Sequence, residues 1–414
     1  MLERHARSLV DEGLDEARIV AILGARQVGK STLLEQVAAE RGGRVITLDD
    51  RDARLSAQDD PATFISQFPA GLLAIDEIQR VPDVMLALKV AVDQDKRPGR
   101  FLVTGSADLH RLPTVADSMA GRVQSVPLYG FSQGELTGHT ESFWDAVFAG
   151  HSLMNHTSHM GRGDYLDLAV AGSYPEVLAR KTYRSRVTWL SDYLERIVTR
   201  DARDIAAIRD LDALAATFKA LVPTTGETLN IQSLASKVGI SAKTTIKYID
   251  LLKNLYLIHQ LPAWHTNLLK KVASKPKTFL LDSGLAASQV GATASALAPG
   301  GHLEDFAGAL IETFVAAELR KQASWSNTRI RLYHWRTHDG AEVDILAETP
   351  DGRIVGIEVK ASTNPGRGAS KWLGRLRDLL ADRFVAGIVL CSRGDVIPMG
   401  DRIWHAPIDT IWTA

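Results

Sequence analysis

Residues Gly24 to Ser31 read Gly-Ala-Arg-Gln-Val-Gly-Lys-Ser, a complete G-x-x-x-x-G-K-[ST] pattern between an apolar run and an amphipathic helix. The preceding Arg18-Ile19-Val20-Ala21-Ile22-Leu23 suits a buried parallel strand, and Ser31 to Ala39 has helical spacing with Leu33, Leu34 and Val37 on one side. Glycines at 24 and 29 let the backbone wrap around an anion, so that its N–H groups and the following helix N-terminus face phosphates. In such a loop Lys30 reaches the β and γ phosphates of a nucleotide and the Ser31 hydroxyl ligates Mg²⁺. The expected cradle is Gly24, Ala25, Arg26, Gln27, Val28, Gly29, Lys30, Ser31 and Thr32, with ATP and Mg²⁺ as its ligands. The competing reading is a glycine-rich turn of an unrelated α/β domain, and the strand–loop–helix context weighs against it.

Working outward, Arg44-Val45-Ile46-Thr47-Leu48-Asp49-Asp50 is a short apolar strand ending in two acids, followed by a polar helical stretch to about Phe68. Gly71-Leu72-Leu73-Ala74-Ile75 then runs into Asp76-Glu77, a Walker B arrangement in which a buried strand delivers two carboxylates to its C-terminal end. Open parallel sheets bind ligands at that edge. Asp76 is expected to hold Mg²⁺ through water and Glu77 to polarise the attacking water. Alone, an Asp-Glu pair reads as a helix N-terminal pair favoured by the macrodipole; after a phosphate loop it does not. Arg100-Phe101-Leu102-Val103-Thr104 is a further strand ending at Gly105-Ser106-Ala107, where Ser106 is the candidate γ-phosphate sensor. Ala120-Gly121-Arg122 precedes another strand, Val123 to Tyr129, and Arg122 is a candidate arginine finger within a subunit or across a subunit interface. A surface arginine is the equal alternative at that position.

At 414 residues the chain exceeds one ordinary core and predicts two or three domains. Lysine and arginine total 48 against 49 acids, so any basic surface for nucleic acid must be local. A single cysteine, Cys391, excludes an intramolecular disulfide and a thiolate zinc site, and fits a reducing, cytoplasmic setting. MLERHARSLVDEGL is charged from its third residue and no stretch of about 18 apolar residues occurs, so neither an export signal nor a membrane span is expected.

From residue 131 the pattern turns helical. His151, His156 and His159 fit no compact metal-ligand spacing and read as a solvated loop. Gly172-Ser173-Tyr174-Pro175-Glu176 marks a turn before a basic helix with Tyr193, Arg196, Arg200 and Asp201, expected as a lid on the nucleotide domain. Residues 229–262 then read as a helix-turn-helix. The first helix turns Ile231, Leu234, Ala235 and Val238 inward, Gly239 makes the turn, and Ser241 caps a second helix with Ile246, Ile249 and Leu251 or Leu252 inward. Leu257 to Leu261 is the expected wing strand. Lys243, Thr244, Lys247 and Lys253 face outward, and Lys270, Lys271, Lys275 and Lys277 follow the wing. These lysines form a local basic patch suited to DNA phosphates, or a solvated face of a protein contact.

The last hundred residues hold a second constellation. His338-Asp339-Gly340-Ala341-Glu342-Val343-Asp344-Ile345-Leu346 leads through Pro350-Asp351-Gly352 to Ile354-Val355-Gly356-Ile357-Glu358-Val359-Lys360, a hairpin signal. A fold about Asp351 sets Asp344 opposite or next to Glu358, and strand alternation gives Glu358 and Lys360 one face. Upstream, Glu312 sits amid the apolar face of the helix Phe306 to Val315. The plain alternative is an exposed Glu358–Lys360 salt bridge of little worth.

This set, Glu312, Asp344 and Glu358-x-Lys360, resembles the PD-(D/E)xK restriction-endonuclease-like superfamily. The resemblance implies that Glu312, Asp344 and Glu358 hold one or two Mg²⁺ and that Lys360 orients or activates water at a scissile phosphate; degenerate members keep the fold without cleavage. Taken in order, the motifs resemble prokaryotic AAA-type ATPases, similar to the archaeal-type P-loop ATPases, with a winged helix and a C-terminal nuclease-like domain of unassigned function. The implied architecture is α/β: a P-loop parallel sheet at 1–137, a helical lid or linker at 138–222, a winged helix at 223–290 and a restriction-endonuclease-like domain at 291–414. What it implies functionally is Mg²⁺-dependent ATP hydrolysis switching or driving a DNA-binding winged helix and a nuclease-like domain, with a homo-oligomer as one option. The rival reading is a nucleotide-controlled protein-binding adaptor with an inactive nuclease-like domain. A small-molecule kinase fits less well, because Asp76 and Glu77 suit water activation. One candidate finger and no evident aromatic pore loop argue against a ring translocase.

Overall fold

In the computed structural model, which describes residues 2–106, 121–151, 153, 154, 156–205, 208, 210–265 and 275–413, the apolar run before the phosphate loop is β1 (Ile19–Leu23), buried at all five positions. Four more strands join it: β2 (Arg44–Thr47), β3 (Leu73–Asp76), β4 (Phe101–Gly105) and β5 (Val123–Pro127). Their order is β2-β3-β4-β1-β5 and every pairing is parallel. Continuous apolar runs such as Ile19–Leu23 and Leu73–Ile75 suit a sheet covered on both faces. On one side Phe64, Met85, Leu88 and Phe101 form the core with them. Because β4 lies between β1 and β3, the C-terminal ends of these three strands stand side by side, which gathers the phosphate loop, Asp76–Glu77 and Ser106 at one sheet edge.

The chain divides into two compact units, Met1–Phe131 with Asn254–Tyr256, and Ser132–Lys253 with Leu257–Ala414. The expected segments 138–222 and 291–414, and all of 223–290 but Asn254–Tyr256, fall within the second. There the helix Tyr183–Arg196 passes into a wider π-helical turn, Ile197–Asp201, and Tyr193 is buried against Tyr174, to which it is hydrogen-bonded at 3.1 Å. Helices Ile231–Val238 and Ala242–Asn254 are joined through Gly239 at φ 77°, and the Ser241 hydroxyl accepts from Thr244 N at 3.1 Å. A three-stranded antiparallel sheet follows in the order β6-β8-β7, from β6 (Glu227–Thr228), β7 (Ile258–Leu261) and β8 (Lys277–Leu280).

Two side chains differ from expectation. Ile246 is 51% exposed, because the buried stripe of its helix runs through Thr245, Tyr248, Ile249 and Leu252, at i, i+3, i+4 and i+7. Lys277 is not part of a basic surface: it opens β8 and is 2% exposed. Lys243 and Lys247 are exposed, Lys253 is paired with Asp250 at 3.1 Å, and Lys270 and Lys271 lie outside the described residues.

The last sheet has the order β13-β14-β12-β11-β10-β9, built from β9 (Arg331–Arg336), β10 (Glu342–Glu348), β11 (Ile354–Lys360), β12 (Phe384–Cys391), β13 (Ile397–Gly400) and β14 (Ile403–Pro407). β10 and β11 form the anticipated hairpin, with Ile345 opposite Ile357; β11, β12 and β14 run parallel. The long helix Glu304–Trp325, which carries Glu312, belongs to the same unit. Among the described residues no helix is long and apolar enough to cross a membrane.

Candidate functional site

The phosphate loop turns through Gln27 at φ 61° and Gly29 at φ 99°, then feeds the helix Lys30–Glu40. A Cβ on Gly24 would stand 2.0 Å from the Leu128 carbonyl oxygen, so this position requires glycine. Lys30 is buried and its Nζ donates to Ala25 O at 2.8 Å. Ala25 and Val28 are buried, Arg26 and Ser31 half-buried, and Gln27 and Thr32 exposed. Arg4 braces the loop from behind: its guanidinium donates to Val28 O at 2.8 Å and Tyr129 O at 2.6 Å, and lies 4.6 Å from the Phe131 ring centre.

Ser31 Oγ stands 2.9 and 3.0 Å from the two Asp76 carboxylate oxygens. A hydroxyl and a carboxylate at the helix start are oxygen donors of the kind Mg²⁺ takes, so this pair fits the ion. Thr104 on β4 organises both acids, donating through Oγ1 to Asp76 Oδ1 at 2.6 Å and accepting from Glu77 N at 2.9 Å. Glu77 has a left-handed backbone, φ 57° and ψ 45°, uncommon for a non-glycine residue. Its Oε2 accepts from Ser106 Oγ at 3.1 Å and from Gln79 Nε2, and Gln79 also donates to Ser106 Oγ at 2.7 Å. Lys30, Ser31, Asp76, Glu77 and Ser106 are thus one continuous polar edge; Ala107 lies outside the described residues.

Arg122 is not part of that edge. Parallel pairing sets Val123 level with Ile19, so Arg122 stands at the N-terminal edge of the sheet, a strand length of about 17 Å from the loop. It is ion-paired there with Asp93 at 2.7 Å. Action as a finger on the phosphates of its own chain is thereby excluded, and Ala120 beside it lies outside the described residues.

The carboxylates of the C-terminal constellation do meet, around a cation that the sequence did not suggest. Lys277 Nζ is 2.8 Å from Glu342 Oε1, 3.0 Å from Asp344 Oδ1 and 3.1 Å from Glu312 Oε1. Burial alone would lower its pKa, but Asp344, Glu312 and Glu342 outweigh that and hold the ammonium charged, above the usual lysine range. Asp344 Oδ2 accepts from Val359 N at 3.0 Å. Lys360 donates to Glu358 Oε1 at 2.6 Å, while Glu358 Oε2 is buried without a hydrogen-bond partner. Burial, then repulsion from Asp344, raises the carboxyl pKa of both Glu312 and Glu358, only partly offset by the lysine beside each. Among the described residues no group of three or more His, Cys, Asp or Glu side chains is disposed to hold a metal ion. The expected set of Glu312, Asp344 and Glu358 therefore does not fit a metal as folded, because an ammonium stands against two of its members.

Of the histidines read as solvated, His151 and His159 are exposed, but His156 Nε2 is 3.0 Å from Asp409 Oδ1. Sequence reasoning gave no site role to Arg4, Thr104, Gln79 and Glu342, and it placed Lys277 in a basic surface patch instead of among the carboxylates. Thr104 carried a signal, being the polar residue that ends an apolar strand beside the carboxylates; Lys277 carried a weaker one, a lysine opening the otherwise buried run Thr278–Leu280.

Residues 16–137 match the family model of an AAA domain, and residues 162–296 and 307–411 match two domains of unknown function, DUF8612 and DUF4143. The chain is 26% identical to "Uncharacterized protein Rv2008c" of Mycobacterium tuberculosis over 414 residues, 99% of this chain and 84% of that protein. It is 24% identical to an uncharacterized protein of Haemophilus influenzae over 298 residues, 66% of this chain and 69% of that one. Among solved structures, the Thermotoga maritima RuvB Holliday junction branch migration motor aligns at a TM-score of 0.32 and 17% identity, covering 63% of this chain and 90% of that chain. A score this low carries no weight for the fold, which rests on strand order. The sequence pattern of an AAA domain and the geometry of a phosphate loop beside paired carboxylates coincide over residues 16–137, and they support an AAA-type P-loop ATPase.

Proposed function

We propose that the chain is a Mg²⁺-dependent ATPase whose hydrolysis acts as a switch on the second unit. The observation that carries this is the Ser31–Asp76 pair standing at the same sheet edge as the Glu77–Ser106 pair, at the C-terminal ends of the neighbouring strands β3, β4 and β1. In this reading Lys30 binds the β and γ phosphates, Ser31 and Asp76 hold the ion, Glu77 activates water and Ser106 senses the γ phosphate. Bound there, Mg²⁺ supplies charge neutralisation at the phosphate oxygens. Arg122 keeps a role only across a subunit interface. Residues 223–290 read as a winged helix, supported by two helices joined at Gly239 and the β6-β8-β7 sheet, with exposed Lys243 and Lys247 suited to DNA phosphates. Residues 291–414 read as restriction-endonuclease-like, and Lys277 among the carboxylates favours an inactive form over a nuclease run by Asp344, Glu358 and Lys360.

One assay tests both arms: ATP turnover of the wild type, Lys30→Ala and Lys243→Ala/Lys247→Ala, each with and without duplex DNA. Lys30→Ala should lose turnover by at least about two orders of magnitude; unchanged turnover would remove the hydrolytic assignment. Duplex DNA should stimulate the wild type and not the double variant. Equal stimulation of both would shift the winged helix to a protein-binding role.

A further inference from the structure

The cluster at the base of the β10–β11 hairpin contains something that no family resemblance supplies. Lys277 belongs to β8, in a different sheet from β10 and β11, yet its side chain is 3% exposed and reaches carboxylates from the helix Glu304–Trp325 and from two positions of β10. An ammonium has three N–H donors, and the three carboxylate contacts match that number. The contact distances, 2.8 to 3.1 Å, are those of N–H···O bonds, whereas Mg²⁺–oxygen contacts run about 2.0–2.1 Å. A second observation is independent of Lys277: Glu358 Oε2 is a buried acceptor with nothing to accept from, on a residue 7% exposed. The site thus has more acceptor capacity than its own lysines use.

The geometry points to Lys277 as a built-in cation that occupies the place of a divalent ion, so that Glu312, Asp344 and Glu358 take up no metal until that side chain is removed. The carboxylates are held together by the chain itself, and β8 is fastened to the hairpin through them. Replacing the ammonium by a neutral side chain of similar length leaves the oxygens of Glu312 and Asp344, together with Glu358 Oε2, available to one divalent cation.

The test uses the full chain without nucleotide in chelator-stripped buffer, with Mn²⁺ as the probe and bound ion counted by titration. This measurement stands whether or not the phosphate loop hydrolyses ATP, because that loop is identical in every variant. Lys277→Met should bind one Mn²⁺ per chain more than the wild type, and adding Asp344→Asn should remove it. Equal Mn²⁺ binding by folded Lys277→Met and wild type would overturn the assignment, as would a bound Mn²⁺ that the wild type loses on Asp344→Asn alone. Melting supplies a readout that keeps Lys277 in place. Any effect of Mn²⁺ on the wild-type midpoint, through Ser31 and Asp76, should persist in Asp344→Asn, which should lower the midpoint in Mn²⁺ and in chelator alike. A wild-type midpoint raised by Mn²⁺, with the rise lost in Asp344→Asn, would mean that the site takes metal as it stands.

Discussion

Glu77 combines the residue type that activates water with a backbone that suits glycine. At φ 57° the side chain incurs strain of about 1–3 kcal/mol, held in place by the Thr104 hydroxyl on its N–H and by Gln79 and Ser106 on its carboxylate. Glu77→Gly and Glu77→Ala both remove the carboxylate, so their difference isolates the backbone. The glycine variant should be the more stable by about 1 kcal/mol in chemical denaturation, while both lose ATP turnover. Equal stability would mean that the conformation carries no strain. The positions of Lys30, Ser31 and the Asp76–Glu77 pair at strand ends depend on local spacing and could be read from the chain. The partners of Lys277 could not, because Glu312 and Asp344 lie 35 and 67 positions away and only tertiary folding brings them to it.

At the scale of elements, β9 does more than edge a sheet. His334 holds the residue that follows β7 and one that precedes β8: its backbone N–H donates to Pro262 O at 2.9 Å and its carbonyl accepts from Trp264 N at 2.7 Å, while its ring Nε2 donates to Lys275 O at 3.1 Å. The ring is 2% exposed, and burial depresses its pKa from 6.5 to about 4; the Lys275 carbonyl opposes this, and among nearby charges Lys277 and Arg336 add to the fall while Glu342 opposes it. Because the folded ring takes up its proton at lower pH than the unfolded ring, acidification from about 6.5 to about 4 favours the unfolded chain. The gap corresponds to about 3 kcal/mol for a single buried group. Relative to the wild type, His334→Gln should therefore gain stability by up to that amount as pH falls through this window. Parallel stability profiles for the two proteins would show that the ring is not held neutral. Strand alternation and the Pro-Asp-Gly turn made the hairpin legible, since both are short-range. Register across a sheet is not short-range, so the placement of Arg122 beside the wrong edge followed only from Val123 pairing with Ile19. Ile246 shows the same limit within a helix: its apolar side chain fits the stripe by type, but the rotation of the helix is set by Tyr248 and Leu252.

For the whole chain, the decisive question is where the first unit ends. Sequence pattern and the AAA-domain match both run to residue 137, whereas the compact units part after Phe131. The six residues between belong to the second unit for a physical reason. Ser132 and Glu135 form a reciprocal helix cap, Gln133 N donates to Glu318 Oε2 at 2.8 Å and Gly134 N to Glu141 Oε1 at 3.2 Å. Glu318, Lys321 and Gln322 are all but fully buried on the helix Glu304–Trp325, and Gln322 Nε2 completes the set by donating to Glu141 at 3.2 Å. Nothing in the short-range pattern around Ser132 foretells a partner 185 positions later. A fragment of residues 132–414 should therefore unfold cooperatively, and one of residues 138–414 should be less stable by about 3 kcal/mol or more. Two backbone donors to buried carboxylates are lost in the shorter fragment, each worth about 1.5–3 kcal/mol. Glu318 would then face Lys321 without the Gln133 amide, a buried charge short of one of its partners. Equal midpoints for the two fragments in urea would place the boundary at 137 and make the network around Glu318 dispensable; a lower midpoint for the shorter one makes residues 132–137 the first turn of the second unit's core.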